Sequence, residues 1–166
     1  MVAQKRPMIK ISKKADYAVL VMASLAHRQV EHDASGADPD LPIDPASAQD
    51  IADAAGLSRA LVANILKALT RAELLESVRG AGGGYRLALK IEEINLSQII
   101  AALEGPIRLV DCASIADIGS HDCSLSDHCP SRSAMRIVHD RIATLMEDIH
   151  LPELLQMENR KAILRS

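Results

Sequence analysis

The sequence predicts a mainly α fold: a winged helix-turn-helix with a small two-stranded wing, followed by a long dimerisation helix. Three observations lead there. Hydrophobic residues make up 48% of the 166, yet Tyr17 and Tyr85 are the only aromatics, so the core must be aliphatic, which favours packed helices over a sheet sandwich. Two helical patterns meet at a Gly-containing turn between Ser47 and Ala72. Two short strand-like runs on either side of a glycine-rich stretch, residues 80–84, follow directly.

The first helix is expected over Lys13 to Gln29, with an apolar run from Tyr17 to Ala26. A basic start before that run has the outline of a signal peptide, but Asp16 interrupts the entry and the downstream cysteines are not a disulfide set. No run approaches the roughly 20 apolar residues of a membrane span, and a cytoplasmic protein is expected. From His32 to Pro45 the chain is rich in Asp, Pro and Gly without periodicity, and reads as a mobile surface loop.

Ser47 is placed to cap a short helix through Ala54, with Ile51, Ala55 and Leu57 inward. Gly56 makes the turn, because glycine accepts the backbone geometry at which a helix stops. Ser58 then caps a longer helix, Arg59 to Ala72, whose Leu61, Val62, Ile65, Leu66 and Leu69 follow the helical period. Leu75 to Arg79 and Tyr85 to Leu89 are the wing strands, and the glycines between them a sharp, flexible tip. An arginine at the wing, Arg79, can reach along a DNA backbone or into the minor groove. The competing reading of the glycines, a phosphate-cradling nucleotide loop, lacks the required Lys-Ser/Thr and precedes a strand, not a helix.

Asn95 caps Leu96 to Glu104, with Gln98 at the third helical position, and Gly105-Pro106 stops that helix. Pro130 is assigned the first position of the last helix, with Ser131 to Ile149 carrying a stripe of Ala134, Val138, Ile142, Leu145 and Ile149. Too little core surrounds this helix to bury the stripe, so it should pack on a second copy, giving a two-fold dimer that meets a palindrome. The tail from Leu151 shows no readable organisation. The expected division is residues 8–105 as the winged helix-turn-helix, 106–129 as a cysteine loop, 130–150 as the dimerisation helix and 151–166 as a tail.

A formal net charge of −3 argues against nucleic acid only on average. Lys5, Arg6, Lys10, Lys13 and Lys14 make the start basic, and Arg59, Lys67, Arg71, Arg79, Arg86 and Lys90 outnumber Glu73 and Glu76. Acidic residues collect between Glu31 and Asp53. Such basic patches on an acidic chain suit local phosphate binding.

Cys112, Cys123 and Cys129 are the only cysteines, spaced C-x10-C-x5-C in a polar loop that also carries His121, Asp122, Asp127 and His128. The loop is too polar for buried thiols, and an odd count leaves one over from any disulfide set. A soft-ligand metal site remains: zinc with three cysteines and a histidine, or an iron–sulfur cluster with three thiolates and a fourth, different ligand. The loop by itself leaves both open.

The segments ISKKADYAVLVMASLA, LSRALVANILKALTRAELLESVRGAGGGYRLA, LSQIIAALEGPIRLVDC and a later C-x5-CP together resemble the Rrf2 family of bacterial winged-helix regulators, the group containing IscR, NsrR and RirA. The likeness runs from about Ile11 to Ile149 and is nearest to regulators of the SUF iron–sulfur assembly system. It implies an iron–sulfur cluster, 4Fe-4S in preference to 2Fe-2S, held by Cys112, Cys123 and Cys129. IscR-like members supply a histidine shortly after the third cysteine, whereas Pro130-Ser131-Arg132 offers none; NsrR-like members use an aspartate in the first helix of the other subunit, a position matched by Asp16. His128 and His121 compete with it. A plainer reading of Asp16 is a helix-start carboxylate paired with Lys13.

The resemblance also implies DNA contacts from Ser58, Arg59, Ala60, Ala63, Asn64 and Lys67 along the groove and from Arg79 on the wing. Ala60 and Ala63 stand where IscR carries polar base readers, so a different operator is expected. The x10 gap between the first cysteines and the acidic insertion after the first helix depart from the family pattern. The leading expectation is therefore a dimeric, cluster-sensing regulator that binds a pseudo-palindromic operator and controls iron–sulfur assembly or iron homeostasis genes. The alternatives are a regulator using the cysteines for zinc or thiol redox chemistry, and a protein-interaction module without DNA binding. No nucleophile–base pair, cofactor fingerprint or catalytic carboxylate pair points to an enzyme or a small-molecule substrate.

Overall fold

The first described element is α1 (Lys13–Ala34), where the Ser12 hydroxyl accepts from the Ala15 amide as N-cap. In the computed structural model, residues 10–36, 43–80, 82–109 and 129–156 are described. Helix α1 runs past the expected Gln29 to Ala34 and ends against Ser35, whose amide donates to the carbonyls of Glu31 and His32. Polar, helix-compatible residues simply extend the last turns beyond the apolar stripe. That stripe is rich in small side chains, with Ala15, Ala18, Val21, Met22, Ala23, Leu25 and Ala26 all buried. The small residues let α1 lie close to the other helices, and it packs on α2 (Ala48–Ala55), α3 (Arg59–Arg71) and α4 (Leu96–Glu104).

Local capping sets most of the boundaries. Ser47 and Asp50 form a reciprocal capping box at α2, and Asn95 and Gln98 form another at α4 through bonds of 2.8 and 2.9 Å. Gly56 ends α2 in the left-handed region at φ 65°, as the turn requires. Helix α3 ends in a Schellman arrangement, with Glu73 N–H donating to Thr70 and Leu74 N–H to Leu69. The left-handed position there is filled by Glu73, at φ 60°.

The wing consists of β1 (Leu75–Val78) and β2 (Gly84–Leu87), antiparallel with Leu75 opposite Leu87 and Val78 opposite Gly84. Its far edge is also paired: Ala46 exchanges two backbone hydrogen bonds with Tyr85, at 2.9 and 2.8 Å. This contact changes the reading of the glycines. A Cβ on Gly84 would lie 2.3 Å from the Ala46 carbonyl oxygen, and one on Gly83 would lie 2.4 Å from that of Val78. Two of the glycines are thus demanded by close backbone approach, not by looseness of a tip. Gly80, at φ 123°, supplies the bend itself.

Two further expectations are corrected. Pro130 lies outside α5 (Arg132–Asp148), for which Ser131 is the N-cap; the amide of Arg132 donates back to Cys129, making a turn ahead of the helix. The segment after α5 is not an unorganised tail. Leu96 N–H donates to Ile149 and Leu151 N–H to Ile94, both at 2.8 Å, and residues 151–156 fold as a short helical segment. Leu151 and Leu155 join Met22, Ile65, Leu66, Leu69, Ile94 and Ile99 in the main core. Residues 157–166, and much of the acidic loop at 37–42, lie outside the described residues, as does the basic start at 1–9.

Candidate nucleic-acid interface and cysteine-bearing edge

Helix α3 is two-faced. Val62, Ile65, Leu66 and Leu69 are fully buried, while Arg59, Ala60, Ala63, Asn64 and Lys67 are all exposed, with Ser58 exposed at its start. The helix contains no carboxylate, so Arg59, Lys67 and Arg71 face solvent without an acidic neighbour in the helix. Ser58 has N-cap backbone geometry but its hydroxyl makes no cap bond, which leaves the first-turn amides without a side-chain acceptor. Asn64 donates its amide to the Ala60 carbonyl at 3.0 Å. The six positions expected along a groove are thus all accessible, and Arg79, at the exit of β1, is exposed as well.

Charge on this surface is arranged by the sheet register. Glu76 and Arg86 are directly opposed across the wing and form an ion pair, so the Arg86 charge is held at the base. Arg79, by contrast, is exposed and makes no such pair among the described residues. Upstream, the hydroxyl and then the amide of Ser47 donate to the Asp50 carboxylate and hold its pKa below the usual carboxylate range, with Arg28 nearby. Asp50 thus serves the cap of α2.

Helix α5 packs on α4 but leaves much of its apolar stripe exposed. Val138 and Leu145 are 44% and 57% exposed, and Ile137 56%; none of the α5 residues is buried. Its neighbour across a cleft of about 450 Å³ is the segment after α4, with Ile100, Pro106, Ile107, Ile142 and Met146 among the lining residues. The start of α1 is tied to the same corner, because Glu104 accepts from the Ser12 amide at 3.0 Å.

Of the expected metal ligands, Cys129 and Asp16 fall within the described residues; Cys112, Cys123, His121 and His128 lie outside them. Cys129 is half-buried, with Sγ 3.2 Å from the Ser131 hydroxyl. Hydrogen bonding from the Ser131 side chain and amide, aided by Arg132, lowers its thiol pKa. That setting favours the thiolate, the form that ligates iron or zinc, so this donor fits the cluster the sequence implies. Asp16 is exposed in the first turn of α1, and the ion pair expected with Lys13 does not form among the described residues. Nor do three His, Cys, Asp or Glu side chains converge on a metal-sized site among those residues.

Comparison with known proteins decides the family. The Rrf2 pattern, described as an iron-dependent transcriptional regulator, matches residues 11–157. The chain belongs to the Rrf2 family. Its relatives include the transcriptional regulator IscR of Vibrio atlanticus, 30% identical over 149 residues covering 89% of this chain and 76% of that protein. IscR of Aliivibrio salmonicida is 29% identical over 89% of this chain and 77% of its own. Among solved structures, T. potens IscR superposes with a TM-score of 0.58 at 29% identity, over 90% of this chain and 88% of the other. CymR of B. subtilis, the global cysteine regulator, gives 0.62 at 26% identity, over 90% and 98%. This Rrf2 chain is a transcriptional regulator with a winged-helix fold, and the relatives it matches are regulators, not enzymes. No helix among the described residues is long and apolar enough to cross a membrane.

Proposed function

We propose that this Rrf2 regulator works in the cytoplasm as a homodimer that binds a pseudo-palindromic operator through α3 and the wing, and senses iron or cluster supply through an iron–sulfur cluster. The observation that carries the DNA reading is the exposed, carboxylate-free outer face of α3, with the exposed Arg79 on the wing that follows it. Ser58, Arg59 and Lys67 would hold phosphates and Arg79 would enter the flank, while Ala60, Ala63 and Asn64 face base edges. The uncovered stripe of α5 supports a two-fold partner, which would set the spacing of two such faces.

Cys112, Cys123 and Cys129 would hold the cluster, 4Fe-4S in preference to 2Fe-2S, with Asp16 of the second copy as fourth ligand and His128 as the alternative. When bound, such a cluster supplies chemistry responsive to iron, oxygen or nitric oxide. The chain's own residues convert ligation into geometry. Cys129 forms the turn that opens α5, and Asp16 lies on α1, which packs on α2, α3 and α4. Ligands on these two elements would fix the dimer helix relative to the DNA-reading head. Iron–sulfur assembly or iron homeostasis genes are the targets that fit a family described as iron-dependent transcriptional regulators.

Protein purified anaerobically should carry iron and acid-labile sulfide in near-equal amounts; a colourless zinc protein sinks the cluster. Asp16→Ala should shift or destabilise the visible absorption while leaving the dimer intact, and an unchanged spectrum removes Asp16 from the ligand set. Arg79→Ala should weaken binding across all duplex sequences and lower the salt slope by about one; unchanged affinity at matched salt contradicts the wing contact. A second reading keeps the DNA-binding but uses the cysteines as a zinc or thiol redox site. The lowered thiol pKa of Cys129 favours it equally, and the metal assay separates the two.

A further inference from the structure

We propose that this regulator reads its half-site by thymine methyl groups, through Ala60 and Ala63. The inference rests on the DNA-binding reading above and specifies its base chemistry. Both alanines are exposed on the outer face of α3, and residues three apart on a helix place their Cβ atoms about 5–6 Å from each other. Along one strand the bases rise about 3.4 Å per step, so the methyl pair matches two thymines one or two steps apart. The chemistry around the pair leaves methyl contact as its contribution. Alanine neither donates nor accepts, and in the major groove the one apolar group a base pair presents is the C5-methyl of thymine.

The neighbouring side chains restrict the alternatives. Asn64, the neutral hydrogen-bonding side chain beside the pair, already donates one amide proton to the Ala60 carbonyl. It keeps its oxygen and one proton, the complement that an adenine edge offers. Arg59 and Lys67 flank the alanines and carry charge suited to phosphates. A half-site read at its centre by methyl contact and one asparagine is rich in A·T pairs.

The test uses the full-length protein and a random-sequence duplex library. In the selected half-site each thymine is replaced in turn by uracil, which removes the methyl and nothing else, and affinity is measured at one salt concentration. Two positions, one or two steps apart, should each lose about fourfold in affinity, the worth of one buried methyl-sized group. Ala60→Gly and Ala63→Gly, with folding checked by circular dichroism, should each remove the methyl dependence at one position. Uracil substitution without effect at every thymine, or dependence that survives both variants, overturns the proposal while leaving DNA binding in place. A library that yields no sequence bound above bulk duplex overturns the DNA-binding reading itself.

Discussion

Gly84→Ala should destabilise this protein sharply while Gly82→Ala should not, although the two lie in one glycine run. The added Cβ at position 84 would stand 2.3 Å from the Ala46 carbonyl oxygen and 2.5 Å from its carbon. Both are backbone atoms, so the 46–85 pairing must open. Two hydrogen bonds of 2.8 and 2.9 Å are then lost, each worth about 0.5–1.5 kcal/mol net, and Ala46, now 1% exposed, is drawn from the core. The sum is about 2–3 kcal/mol. At position 82 a Cβ meets nothing within 4 Å, so the loss of unfolded-state freedom gives a neutral result or a gain of up to about 1 kcal/mol. For a chain of this size about 1 kcal/mol moves Tm by roughly 2–4 °C. Calorimetry at one protomer concentration should therefore separate the variants, about 2–4 kcal/mol apart, by roughly 4–16 °C. Equal melting temperatures would refute the close-approach argument and return the glycines to the role of a loose tip.

Three other outcomes follow from the structure. Leu151→Ala should lower stability by about 2–5 kcal/mol in urea titration, because Leu151 is fully buried; a loss below about 1 kcal/mol would detach the segment after α5 from the core. Glu73→Gly should raise Tm by a few degrees, since relieving a left-handed non-glycine residue worth roughly 1–2 kcal/mol outweighs glycine's greater unfolded freedom; a fall in Tm contradicts this. In the metal-free protein, alkylation of Cys129 should reach half its maximal rate at a pH below that of an ordinary thiol. The thiol pKa is lowered, so thiolate is present on the alkaline side of that lowered value and disappears as pH falls through it. Ser131→Ala should move the midpoint upward, and an unmoved midpoint by peptide mass spectrometry would discount the Ser131 bond.

The elements that were legible beforehand are those whose signals are local. Asn95 with Gln98 names both partners of a capping box three residues apart, and the α4 boundaries agree residue for residue. Gly56 announces its left-handed turn, and the period of Val62, Ile65, Leu66 and Leu69 states which face of α3 is buried. The exposure of Arg59, Ala60, Ala63, Asn64 and Lys67 follows as the complement of that pattern. Glu73 was not legible, because a glutamate in a glycine position carries no composition signal. The start of α5 lies two residues later than the sequence suggests, at Arg132 and not Pro130, since proline is common at a first helical residue and the Cys129–Arg132 turn that displaces it is a backbone contact.

What the sequence by itself determined is the helical class, the helix-turn-helix, the paired wing strands and the triad of thiols, because capping, periodicity and residue chemistry act within a few positions. What only the tertiary structure decided lies in contacts between distant segments. The pairing of Ala46 with Tyr85 makes Gly84 obligatory, and the pairing of 149–151 with 94–96 carries Leu151 into the core. Nothing in three leucines at 151, 154 and 155 foretells burial, because the surface that receives them is built by residues more than fifty positions earlier in the chain. Burial is decided by where two segments meet, and that meeting has no signature in either segment alone.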